Sequence, residues 1–167
     1  TEGMLFSYAT ARSYHTAKKV TKGLEAKIPL IVYNGAFILD NVTGEVMCSD
    51  FFGEEAKVIL DDFIGNGLYP IVYSYIDCVE KFSFIPDKCS REQTEFLDSR
   101  KGDIRTNVVL ETEQLYAGNI FYFTCIDEKE KLEPLYERYK DICHCVFQKD
   151  IYSGAQWLEI MSLASSK

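Results

Sequence analysis

Short runs of consecutive apolar residues alternate along the chain with stretches of helical spacing. Met4 to Ala9 is an apolar run of the kind a buried parallel strand requires. Ser13 is a good helix N-cap. After it, Tyr14, Ala17, Val20 and Leu24 recur at helical spacing, and Lys18, Lys19 and Lys22 fall toward solvent. Leu30 to Tyr33 reads as a second buried strand, entered through Pro29, and Asn34-Gly35 as a turn. Phe37-Ile38-Leu39 and Glu45 to Cys48 then form a predicted hairpin around Asn41-Val42-Thr43-Gly44. Strand, helix, strand and hairpin in that order make an α/β pattern.

The pattern changes after residue 51. A helix is predicted from Glu54 to Ile64, closed by Gly65 and Gly67. Tyr69 to Tyr75 and Val79 to Ile85 are β-rich and join at Asp77 as a hairpin. Ser90 caps a helix over Arg91 to Ser99, with Glu92 and Glu95 near its start. Lys101 to Asn107 reads as a charged loop and Thr112 to Ala117 as a short helix. Asn119 to Ile126 is strongly β-prone. Asp127 is the expected cap of a helix to Tyr139 with Leu132, Leu135 and Tyr139 as its apolar stripe. Cys143 to Phe147 and Gln156 to Met161 complete the predicted strands. The reading is therefore α/β plus α+β. A partial Rossmann-like core occupies 1–51, an inserted antiparallel sheet with helices on one face occupies 52–151, and 152–167 returns to the core beside its first strands.

Composition narrows the function classes. Of the 167 residues, 47% are hydrophobic and 14% aromatic, enough for a real core. The net charge of -8 sets up a field that repels phosphate backbones, so no nucleic-acid partner is expected. No apolar run is long enough to span a membrane, and Thr1 to Arg12 carries no signal-peptide pattern. The expected compartment is the cytoplasm. Cys48, Cys78, Cys89, Cys125, Cys143 and Cys145 form no CxxC pair and read as reduced thiols. Cys143-His144-Cys145 suggests a metal, but strand alternation turns His144 away from the two thiols, so no metal ligands are assigned.

Three segments together carry a resemblance. Phe6-Ser7-Tyr8-Ala9-Thr10-Ala11-Arg12-Ser13 is similar to the second motif of Cof-type phosphatases of the haloacid dehalogenase (HAD) superfamily, an apolar strand ending in Thr-Gly-Arg. Pro29 to Ala36 resembles the next strand of that family, ending in Asn-Gly-Ala. Trp157-Leu158-Glu159-Ile160, followed by Ser166-Lys167, resembles its return strand and the third motif with its lysine. The resemblance implies a phosphatase acting on a small phosphorylated metabolite such as a sugar phosphate. It assigns Thr10 and Lys167 to catalysis, and Thr10, Ala11, Arg12, Asn34, Gly35 and Ala36 to phosphate and substrate binding. It implies Mg2+ in the parent protein, with no cofactor held by this chain alone.

Read as residues, Thr10 stands at the carboxyl end of a strand just before a helix, where its hydroxyl and nearby amides can hold a phosphate. It can equally be a capping residue, with Ser13. Arg12 is either a phosphate partner or a solvated charge at a helix start. Asn34-Gly35-Ala36 is either a tight turn or a close-approach surface for substrate. Glu159 is expected at the seam between inserted unit and core. Asp61-Asp62 reads as a pair of solvated helix charges. Arg91, Lys101 and Arg105 are the cations of the inserted unit that merit inspection, each with a solvated face as the plainer account.

Two departures from the family matter. Ala11 stands where the family usually has Gly: its methyl group either narrows the phosphate loop or is harmless if φ is negative. The aspartates of the first motif, nucleophile included, and the acidic metal ligands of the fourth are expected before Thr1 and after Lys167. A partial core of this kind is expected to pair with another copy through its exposed strands. A non-catalytic α+β binding or interaction module stays open as an alternative.

Overall fold

The computed structural model describes residues 5–22, 28–151 and 153–165. The chain divides into two compact units, 1–50 with 162–167, and 51–161.

In the first unit, helix α1 (Tyr14–Val20) is capped by Ser13, whose Oγ accepts from the Thr16 amide. Thr21 ends it, its amide bonding the Ala17 carbonyl. Leu24, expected on this helix, lies outside the described residues, as does Met4. Strands β1 (Leu30–Val32), β2 (Phe37–Leu39) and β3 (Val46–Ser49) form an antiparallel sheet in that order. The β2–β3 turn is built on Asp40, whose Oδ1 accepts from the Val42 and Thr43 amides at 2.8 and 2.7 Å. The predicted strand over 4–9 is reduced to one parallel bridge, Ala9 with Ile31. Leu5 and Phe6 are exposed at 70% and 45%, so their apolar run has no second face to lie against among the described residues.

The second unit holds α2 (Glu55–Gly65), β4 (Ile71–Ile76), β5 (Val79–Phe84), α3 (Arg91–Asp98), β6 (Thr106–Val108), β7 (Asn119–Asp127), α4 (Lys129–Tyr139), β8 (His144–Lys149) and β9 (Gln156–Met161). Its six-stranded sheet has the order β6-β5-β4-β7-β9-β8, antiparallel except for β5 with β6. Strand alternation sends Val72, Phe123, Cys125, Leu158 and Ile160 to one face. There they pack with Ile59, Leu60 and Phe63 of α2 and Leu132, Leu135 and Tyr139 of α4. The expected layering thus holds for the two longer helices. α3 adds a contact on the other face, where the Phe96 and Trp157 rings meet edge-on at 5.0 Å.

Three sequence expectations are corrected. First, Gln156 to Met161 does not return beside the first strands. Leu158 pairs with Cys125 and Phe147, and Ile160 with Phe123 and Cys145. The physical reason is local: β8 and β9 are joined by a short hairpin in which Asp150 Oδ2 accepts from Ser153 and Gly154 adopts φ 73°. That pairing closes a far shorter loop than one with Ile31 would. Second, the N-cap of α4 is Glu128, and Asp127 instead accepts from the Glu128 amide at 2.7 Å and from Lys131 at 2.9 Å. Third, Arg105 is not solvated: its side chain is 9% exposed and bonds Glu80 at 2.5 Å and Asp103 at 2.7 Å. Arg91 and Lys101 are exposed as read, and pair with Glu95 and Asp98. Asp61 and Asp62 have partners as well. Asp61 accepts from the Tyr116 hydroxyl at 2.5 Å, and Asp62 from Arg138 at 2.6 Å and from the Tyr139 hydroxyl.

Candidate functional site

Four backbone hydrogen bonds build the site from two loops. The Ile31 amide donates to the Tyr8 carbonyl at 3.2 Å, and the Thr10 amide to the Ile31 carbonyl at 2.9 Å. Beyond the strands, the Tyr33 amide donates to Arg12 at 3.1 Å and the Asn34 amide to Thr10 at 3.2 Å. The segment 10–13 therefore lies against 33–34 at the carboxyl end of a parallel pairing, where open α/β sheets place ligands.

Within the first loop, Thr10 Oγ1 accepts from the Arg12 amide at 3.1 Å. This is a side-chain turn of the kind Ser and Thr favour. The cap of α1 is Ser13 alone. Thr10 Oγ1, already an acceptor, keeps its proton for an incoming oxygen. Among the described residues the Ala11 amide has no acceptor, and Ala11 is absent from the positive-φ positions. Its methyl group therefore brings no left-handed strain. Arg12 and Ala11 are exposed and Thr10 is half-buried.

The second loop is conformationally costly. Tyr33, Asn34 and Gly35 have φ of 49°, 55° and 109° in succession. Asn tolerates the left-handed region and Gly favours it, but a Tyr there is uncommon. It is held by its bond to Arg12, by the Ala36 amide on its carbonyl at 3.0 Å, and by an edge-on contact with Phe37. Such strain persists where the surroundings over-determine it. Asn34 and Ala36 are buried at 5% and 1%, so Ala36 contributes space rather than a polar atom.

The loop leads on to a contact that sequence reasoning missed. The Asp50 amide donates to the Ala36 carbonyl at 2.9 Å, and Asp50 Oδ2 accepts from the Ser165 hydroxyl at 2.8 Å. Ser165 is fully buried. The chain thus re-enters the first unit at a fixed point beside the Asn34-Gly35-Ala36 loop. Asp50 and Ser165 are 115 positions apart and nothing in the sequence signals their pairing. Lys167 and Ser166 lie outside the described residues.

The donor set suits a phosphate: a hydroxyl, a free amide and a guanidinium. It does not suit magnesium, which wants anchoring carboxylate oxygens. Among the described residues no three His, Cys, Asp or Glu side chains gather as a metal site.

Across residues 1–167 the sequence matches the profile of the haloacid dehalogenase-like hydrolases. The chain belongs to that family. A comparison with curated proteins gave no match. Among solved structures, a haloacid dehalogenase-like hydrolase from B. subtilis is 18% identical with a TM-score of 0.68, covering 99% of this chain and 64% of its own. A HAD subclass IIB sugar phosphatase is 13% identical with a TM-score of 0.67, covering 99% and 59%. A HAD/COF-like hydrolase from Plasmodium vivax is 14% identical with a TM-score of 0.66, covering 99% and 58%. At these identities the likeness is one of fold. The chain spans about three-fifths of the length of these HAD structures. It is a mixed α/β member of the family, with two sheets and four α-helices among the described residues.

Proposed function

We propose that residues 10–13 and 33–36 form the phosphate-binding end of a Cof-type HAD phosphatase acting on a small phosphorylated metabolite, a sugar phosphate or similar. The observation that supports this reading is the pair of backbone bonds from the Tyr33 and Asn34 amides to the Arg12 and Thr10 carbonyls, which docks the two loops on each other at the strand end, with the Thr10 hydroxyl and the Ala11 amide in the first of them. Thr10 would donate to a phosphoryl oxygen and Arg12 would pair with a second oxygen or with another anionic part of the substrate. Lys167 would neutralise charge as the phosphoryl group transfers. The unit 51–161 would act as the cap that selects substrate.

The family resemblance brings an aspartyl-phosphate intermediate and Mg2+ dependence to the proposal. Both draw on carboxylates that we place on sequence flanking residues 1–167. The 167-residue chain by itself is then inactive. All six cysteines are free, which agrees with a reducing cytoplasm. No described helix is long and apolar enough to cross a membrane. Exposed Leu5 and Phe6 favour pairing with a second copy, which sedimentation at rising concentration tests.

The direct experiment compares the chain with and without its flanking sequence, with magnesium, on a panel of sugar phosphates and p-nitrophenyl phosphate. Hydrolysis by the longer protein alone is the expected result. Comparable hydrolysis by the 167-residue chain places the chemistry elsewhere, and inactivity of both favours a non-catalytic module.

A further inference from the structure

A cavity of about 500 Å³ lies inside the 51–161 unit, between β5, β6 and the far end of α3. Its origin is geometric. Alternation along β5 places Phe82 and Phe84 on one face, their rings 6.4 Å apart and 17° from parallel. α3 would have to cover them, but its eight residues extend only about 12 Å. It is anchored at the other end, where Ser90 bonds the Ile126 carbonyl at 2.5 Å and Gln93 bonds Tyr69 at 2.9 Å. Leu97, Pro86 and Val108 complete an apolar wall over the two Phe rings. Volume and lining fall in the range of small-molecule sites, which are mostly apolar with a few polar groups.

The charged residues around it are not equivalent. Lys101 pairs with Asp98 at 3.1 Å, and Asp103 with Arg105 at 2.7 Å. Arg100, which also lines the cavity, has no carboxylate partner among the described residues. Its guanidinium carbon lies over Phe96, 5.0 Å from the ring centre. Its side-chain N–H groups donate to none of the described residues. In a chain of net charge -8, Arg100 is thus a cation without a carboxylate partner among the described residues, at the rim of an apolar cavity.

We propose that this cavity binds a small organic anion, with its apolar body against Leu97, Pro86 and the half-exposed Val108 and a carboxylate, sulfonate or phosphate group on Arg100. The inference does not depend on the phosphatase reading.

The test is fluorescence titration of the chain with 1-anilinonaphthalene-8-sulfonate and with its neutral counterpart N-phenyl-1-naphthylamine. The sulfonate should bind saturably at one site. Arg100→Glu should weaken it by roughly tenfold or more, the size of one lost charge-assisted contact, while the neutral dye changes by less than about twofold. Val108→Trp, at a half-exposed position that tolerates bulk, should abolish both by filling the space. Circular dichroism confirms folding, and Arg100→Gln replaces Arg100→Glu if the latter misfolds. Non-saturable binding, sulfonate affinity unchanged in either variant, or equal loss of both dyes on substitution of Arg100 overturns the proposal.

Discussion

The amide of Asn34 donates to the carbonyl of Thr10 at 3.2 Å. One bond between residues 24 positions apart thus ties the loop after β1 to the loop before α1. The peptide plane that carries this N–H is set by Tyr33, in the left-handed region at φ 49°, and Asn34 follows it there at φ 55°.

Asn34→Val therefore costs stability, because a β-branched side chain at positive φ adds about 1–2 kcal/mol of strain. Asn34→Gly avoids that strain, since Gly adopts that φ freely, and loses about 1 kcal/mol of chain entropy together with the packing of the buried Asn34 side chain. Urea denaturation of the two variants separates them. Equal midpoints would mean that backbone conformation is not what Asn34 supplies.

Arg105→Ala destabilises by about 3–5 kcal/mol, because it leaves Glu80 and Asp103 charged with side chains only 16% and 10% exposed. Adding Glu80→Gln and Asp103→Asn recovers part of the loss. Thermal unfolding of the single and triple variants checks this, and a single variant as stable as the parent contradicts it.

Asp62 carries a pH dependence of known sign. The Tyr139 hydroxyl and then Arg138 hold its carboxyl below the ordinary 3.8. A lowered folded-state pKa means that the stabilisation is present above the ordinary value and lost as pH falls through the folded one. Stability against urea in the parent should therefore fall more steeply below pH 3.8 than in Asp62→Asn, and parallel acid limbs would refute this.

Leu132→Ala removes a fully buried side chain from the seam between α4 and the sheet and costs about 2–5 kcal/mol, read as a lowered unfolding midpoint. Its neighbour Glu133, on the solvent side and paired with Lys129, tolerates Ala within about 0.5 kcal/mol.

Much of this was legible in the sequence because it is local. Ser13 and Ser90 cap the helices predicted for them, and the Asp77 turn forms with Asp77 and Cys78 both at positive φ. Leu132, Leu135 and Tyr139 are buried at the spacing that predicted them. What escaped is long-range. β9 reads equally well as a core strand or a hairpin partner, since Leu158 and Ile160 suit either face. The hairpin was signalled only by Asp150, Ser153 and Gly154. Charges were read as solvated because exposure is the usual state of Arg and Asp. Nothing near Arg105 in sequence reveals Glu80 on the next strand. The motif words named Thr10 and Asn34, whose backbones the fold joins, but the Asp50–Ser165 contact has no sequence signature.

The most direct test of the account is steady-state turnover of p-nitrophenyl phosphate, with magnesium, by the protein with its flanking sequence and by its Thr10→Ala and Thr10→Ser variants. Thr10→Ala removes a donor aimed at the phosphoryl group, which is worth roughly 2.7–4 kcal/mol of barrier. The prediction is a kcat lowered more than about tenfold in Thr10→Ala and largely restored in Thr10→Ser, with circular dichroism unchanged in both. A kcat in Thr10→Ala equal to the parent's, in an active and folded protein, would contradict the assignment of this loop to phosphate.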